Sequence, residues 1–130
     1  MIVDDHQMLR EGLRRSMSEI GFDVIGEASD GDEAVTRATA QRPDVILMDV
    51  TMPRMDGVEA CRQVKDVLPD THIVMLTMHA DQSVLADAIR AGASGYLIKD
   101  CSTDEIADAV KIAAAGQIAL SPQLAATMLD

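Results

Sequence analysis

Five polar groups stand where apolar runs end: Asp4 and Asp5 after residues 1–3, Asp49 after 45–48, Thr77 after 72–76, and Lys99 after 94–98. Any one polar residue at such a boundary is usually just solvated. Four of five apolar runs ending this way points to a shared site. Carboxylates brought together repel, each pair at about 4 Å costing about 1 kcal/mol in water and about 4 kcal/mol at an effective dielectric of about 20. One ammonium cannot balance three such charges. A hard divalent cation can, and Mg2+ favours one or two carboxylates, several waters and a phosphate oxygen. That combination suits phosphoryl transfer, in which positioning and charge stabilisation do most of the catalysis. A carboxylate can itself be the nucleophile and form an aspartyl-phosphate, with Thr77 and Lys99 holding the phosphoryl oxygens. No GxxxxGK[ST] or GxGxxG stretch is present, so no nucleotide cradle is indicated.

The elements that must position these groups alternate along the chain. Strand patterns cover residues 1–3, 22–28, 44–49, 72–77 and 94–100. Helical spacing of Leu9, Leu13, Met17 and Ile20 is stopped by Gly21. Further helices are expected over 29–42 after a turn at Asp30-Gly31, over 56–68, over 81–92, and over 102–116 with Ser102 and Glu105 as a capping box. "VILM" and "HIVML" are continuous apolar runs, the mark of strands buried on both faces of a parallel sheet. Five strands alternating with five helices predict an α/β domain. Right-handed crossovers place all strand ends on one side, where open parallel sheets bind ligands.

Composition narrows the function classes. The chain has 130 residues, 48% of them hydrophobic, with Phe22 and Tyr96 its only aromatic residues and a net charge of −11. Such a surface repels nucleic acid and anionic membranes, so DNA binding by this chain alone and membrane association are not expected. Apolar runs are too short to span a bilayer. Cys61 and Cys101 lack metal-ligand spacing and read as reduced thiols of a cytoplasmic protein. His6 reads as a solvated helix start, and His72 and His79 have no ligand partner at useful spacing.

"VDDH", "DVILMDVTMPRMDG", "LTMHAD" and "GASGYLIKD" resemble the receiver domain of two-component response regulators, most closely the NarL/FixJ (LuxR-type) subfamily. The resemblance runs over about residues 2–122. It implies a flavodoxin-like (CheY-like), doubly wound, five-stranded parallel sheet of order 2-1-3-4-5, with five helices plus a C-terminal linker helix. Asp49 matches the phosphoacceptor. Asp4 and Asp5 match the acidic pair, Asp5 reaching Mg2+ (or Mn2+) directly and Asp4 through water. Thr51 offers its backbone carbonyl to the metal, Thr77 matches the switch hydroxyl, Lys99 the phosphoryl-binding lysine, and Tyr96 the switch aromatic.

The same resemblance divides the chain into a receiver over 1–117 and a linker helix over 118–130, with Leu120, Leu124 and Met128 as its apolar stripe. Strand 1 is shorter than the family's, and the linker leads toward a helix-turn-helix DNA-binding domain absent from this chain. The implied function is a phosphorylation-controlled switch, bacterial and cytoplasmic, regulating transcription through that output domain. It takes its phosphoryl group from a sensor histidine kinase and pairs with a second receiver on activation. It is not an enzyme beyond promoting its own phosphorylation and dephosphorylation. The alternative is a Mg2+-dependent aspartyl-phosphate phosphatase of the haloacid-dehalogenase type. Its DxDx[TV] motif requires a second Asp where this chain has Thr51. A third reading is an interaction domain with a silent site, against which the complete set Asp5, Asp49, Thr77 and Lys99 counts.

Overall fold

The computed structural model describes residues 1–78, 81–121 and 124. Strands and helices alternate as β1 (Ile2–Val3), α1 (Gln7–Ile20), β2 (Glu27–Ala28), α2 (Gly31–Gln41), β3 (Val45–Asp49), α3 (Gly57–Val67), β4 (His72–Thr77), α4 (Gln82–Arg90), β5 (Gly95–Ile98), α5 (Thr103–Ala114) and β6 (Ala119–Leu120). All strand pairs are parallel, in the order β2-β1-β3-β4-β5-β6.

Both sheet faces are covered, which is why the central strands carry no polar alternation. Ile46, Met48, Ile73, Met75 and Tyr96 pack with Ala34, Ala38, Ala60, Val64, Leu85 and Ala88 from α2, α3 and α4. Leu47, Val74, Leu76 and Leu97 point the other way, onto Leu13 and Met17 of α1 and Ile106, Val110 and Ala113 of α5. Each large apolar side chain so buried contributes about 1.5–3 kcal/mol. Helix starts are capped locally: Asp30, Asp56, Asp81 and Ser102 accept backbone N–H groups of the first turn of α2, α3, α4 and α5. Gly21 ends α1 in the left-handed region, where a side chain would be strained. No described helix is long and apolar enough to cross a membrane.

Three expectations change. The strand expected over 22–28 narrows to Glu27–Ala28, because β1 offers only Ile2 and Val3 as partners. The α1 stripe is narrower too: Leu13 and Met17 are buried, whereas Leu9 and Ile20 are each 40% exposed. Finally, the sheet has six strands rather than five. Ala119 and Leu120, assigned to the linker helix on sequence, pair with Gly95 and Tyr96. Gly95 permits this approach, since a Cβ there would lie 3.1 Å from the Ala119 carbonyl oxygen. Leu124 is fully buried in the same cluster as Tyr96. Met128 and the rest of the expected linker helix, like His79, lie outside the described residues.

Burial of Leu124 makes a testable claim about this C-terminal segment. Leu124→Ala should cost about 2 kcal/mol, the low end for a core leucine because a peripheral segment can partly collapse into the space. Urea unfolding measures it, and a midpoint equal to wild type would show that the segment is not docked.

Candidate functional site

Strand order makes the site. The chain leaves β1 in opposite directions, to β2 on one side and β3 on the other, and such a switch point opens a crevice at the carboxyl ends of the strands. Asp4 follows β1, Asp49 ends β3, Thr77 ends β4 and Lys99 follows β5. Backbone bonds hold these ends in register: the Val50 N–H donates to the Leu76 carbonyl at 3.0 Å, and the Lys99 N–H to the Thr77 carbonyl at 2.7 Å.

The side chains meet there. Lys99 Nζ lies 3.1 Å from Asp4 Oδ2 and 3.1 Å from Asp49 Oδ2. Asp4 Oδ1 accepts the His6 backbone N–H at 2.8 Å, and Asp49 Oδ1 accepts the Thr51 N–H at 3.2 Å. Both carboxylates are buried and would be costly without these partners. Burial pushes the Asp49 carboxyl above the usual carboxylate range; Lys99 opposes this and the Asp4 charge adds to it. For Lys99, burial alone lowers the ammonium, but Asp49 and Asp4 outweigh it and the net shift is upward. The ammonium therefore stays charged and helps hold Asp49 ionised, the form a nucleophile needs.

Asp5 is more open, its side chain 31% exposed. Asp4, Asp5, His6 and Asp49 each offer one ligand atom, all within 4.8 Å of one another. His6 stays largely exposed, as its sequence position suggests, yet its Nδ1 lies 3.3 Å from Asp5 Oδ1 and 3.4 Å from Asp4 Oδ1. Among the described residues, three carboxylates face one ammonium, leaving two negative charges without a partner cation. The hard-oxygen donor set fits Mg2+.

Thr77 and Tyr96 sit one strand apart, on β4 and β5. The Tyr96 ring is fully buried. The reason is packing, since Tyr96 lies in the cluster that Leu85, Ala88 and Leu124 complete. Its Oη is buried and, among the described residues, makes no hydrogen bond of normal geometry. Burial pushes its phenol up, opposed by the nearby Thr77 hydroxyl.

Sequence reasoning missed one pair near the site. Arg54, in the loop after β3, is ion-paired with Asp30, the N-cap of α2. Nothing local signals a contact between residues 24 positions apart. Elsewhere, an apolar hollow of about 280 Å³ opens where Met1, Phe22, Val24, Pro43 and Val45 meet, and none of the converging site residues lines it.

The family whose pattern matches residues 1–111 is described as the response regulator receiver domain. Among curated proteins, the chain is 42% identical to the transcriptional regulatory protein LiaR of Bacillus subtilis, an alignment covering 100% of this chain and 62% of LiaR. Among solved structures it resembles a LuxR-family two-component response regulator from Aurantimonas, with 36% identity, 99% and 93% of the two chains covered, and a TM-score of 0.95. It is also similar to a chain of the CheX–CheY–BeF3–Mg2+ complex from Borrelia burgdorferi, with 26% identity, 82% and 81% covered, and a TM-score of 0.78. The chain spans 53% to 62% of the length of the first curated relatives it matches.

Proposed function

Because the chain belongs to the response regulator receiver domain family, we propose that it is a phosphorylation-controlled switch whose phosphoacceptor is Asp49. The observation that carries this reading is Lys99, held 3.1 Å from both Asp49 and Asp4 at the end of a buried strand. An Asp49 carboxylate oxygen attacks phosphorus and the donor's bond to phosphorus breaks. In a sensor histidine kinase that bond is to a histidine nitrogen; in acetyl phosphate it is to the acetyl oxygen. The product is an acyl phosphate on Asp49. Lys99 then binds a phosphoryl oxygen, and Thr77 another.

A divalent cation, Mg2+ or Mn2+, would be held by Asp5 and Asp49 directly, by Asp4 through water, and by the Thr51 carbonyl. When bound it neutralises charge on the transferring phosphoryl group. The relative from Borrelia with BeF3 and Mg2+ in its complex supports this assignment. In the whole protein the switch acts in the cytoplasm on a helix-turn-helix DNA-binding domain, and activation pairs it with a second receiver. Thr77 and Tyr96 link the site to the neighbouring surface: a phosphoryl group drawing Thr77 inward would hold the Tyr96 ring in the buried position already seen. The phosphatase alternative lacks its acid–base carboxylate, since Thr51 stands in that place. Acetyl phosphate with Mg2+ and intact mass tests the proposal. A switch gains and holds one phosphoryl mass, a phosphatase only turns over its substrate, and no reaction at all refutes the reading.

Metal binding separates the acidic pair. Both Asp4 oxygens are engaged, by Lys99 and the His6 N–H, whereas Asp5 is exposed and, among the described residues, is ion-paired only with His6. Asp5→Ala should raise the Mg2+ Kd at least about tenfold, or ~1.4 kcal/mol, with little change in stability. Asp4→Ala should weaken Mg2+ less and destabilise more, because Lys99 loses a buried partner. Equal losses of Mg2+ affinity in the two variants would contradict these roles.

A further inference from the structure

We propose that Asp30 and Arg54 form a positioning clamp that fixes the loop between Asp49 and α3, and through it the backbone of Thr51 at the phosphoacceptor. Its value for metal binding rests on the function proposed above; the clamp itself does not.

Arg54 is the apex of the loop. Its backbone lies in the left-handed region, φ +67°, which disfavours any residue with a Cβ. The Met55 N–H donates to the Pro53 carbonyl at 2.9 Å, closing a three-residue turn around Arg54, a rare and strained turn when its central φ is positive. A strained residue persists where its surroundings over-determine it. Here the surroundings are the start of α2. Arg54 pairs with Asp30 Oδ2 while Asp30 Oδ1 accepts the Glu33 N–H at 2.8 Å, so each oxygen has its own task. The next residue adds a second anchor: a Cβ on Gly31 would lie 2.5 Å from the Met55 carbonyl oxygen, so the loop backbone is seated directly on the helix start.

An ordinary surface pair joins two exposed side chains and contributes little. This one differs. Arg54 is 71% exposed, but Asp30 is only 7% exposed and already committed as a helix cap. The loop is pinned at its base by the Gly57 N–H to the Val50 carbonyl at 2.8 Å, and at its apex by the clamp. Thr51 lies between the two pins, its N–H on Asp49. Releasing the apex lets residues 51–55 swing about the base and loosens the contact between Thr51 and Asp49. Arg54 touches none of the reacting groups and acts through the backbone.

The test reads Thr51 directly. In metal-free protein, Arg54→Gln and Asp30→Asn (asparagine keeps the cap) should speed Thr51 amide hydrogen exchange about tenfold, while Arg54→Lys stays near wild type. The double variant should be no faster than either single one, because both remove the same contact. In the Mg2+ titration, the Gln and Asn variants should raise the Kd about tenfold with urea midpoints close to wild type. Unchanged Thr51 exchange in Arg54→Gln overturns the clamp, as does an equal effect in Arg54→Lys. Faster Thr51 exchange in a protein that binds no Mg2+ would uphold the clamp and refute the metal-dependent function instead.

Discussion

Asp49→Asn should take up no phosphoryl group from acetyl phosphate under conditions that label wild type fully, and should fold at least as stably. An amide is not a nucleophile toward phosphorus. The stability claim follows from the pKa. Burial raises the Asp49 carboxyl, so the folded state binds its proton more tightly than the unfolded chain does. Ionised Asp49 therefore weakens the fold above its folded pKa. The penalty fades as pH falls and is gone below the unfolded value, about 3.9. Asparagine carries no such penalty, and Lys99 keeps Asp4 as a partner. The advantage of Asp49→Asn should thus be present at neutral pH and vanish in acid. Intact mass and urea midpoints at pH 7 and in acid measure both parts; labelling of the variant at the wild-type rate would move the phosphoacceptor elsewhere.

Gly57→Ala should be the most disruptive single methyl in the site. A Cβ there would lie 2.2 Å from the Asp49 carbonyl oxygen, 3.0 Å from its carbon and 2.8 Å from Met75 Cε. Met75 can move its terminal methyl, but the Asp49 backbone cannot yield without dragging the Asp49 carboxylate and the end of β3. The glycine's own N–H is committed to the Val50 carbonyl. Overpacking usually costs about 1–3 kcal/mol, and a backbone clash belongs at or beyond the upper end. The expected loss is at least about 3 kcal/mol, with slowed phosphorylation of whatever still folds. Denaturation and labelling rates together check it; near-wild-type values for both would mean that α3 can retreat from β3.

Much of this was legible in the chain. Central strands announce themselves because residues buried on both faces leave no room for polar alternation. β4 spans the residues expected of it, His72–Thr77, and α3 begins after Asp56 for a reason local to a few residues, a carboxylate capping the Glu59 N–H. The polar residues ending those strands could be selected because topology dictates where parallel strands finish. The matched motifs added the family, which the receiver-domain pattern over residues 1–111 bears out.

The order β2-β1-β3-β4-β5 came with the family resemblance; the residues by themselves determined which segments are strands and helices and which polar side chains share an end of the sheet. These rest on periodicity, capping and handedness, all short-range or generic. Tertiary structure alone decided that Lys99 bridges Asp4 and Asp49, that Tyr96 lies buried in the same cluster as Leu124, and that β2 shrinks to the length of its partner β1. It alone decided that residues 119–120 add a strand and that Asp30 holds Arg54. Each is a contact between residues far apart in the chain. Which of them form depends on how closely two backbones approach and what volume remains between them, and neither quantity exists until the sheet has been assembled.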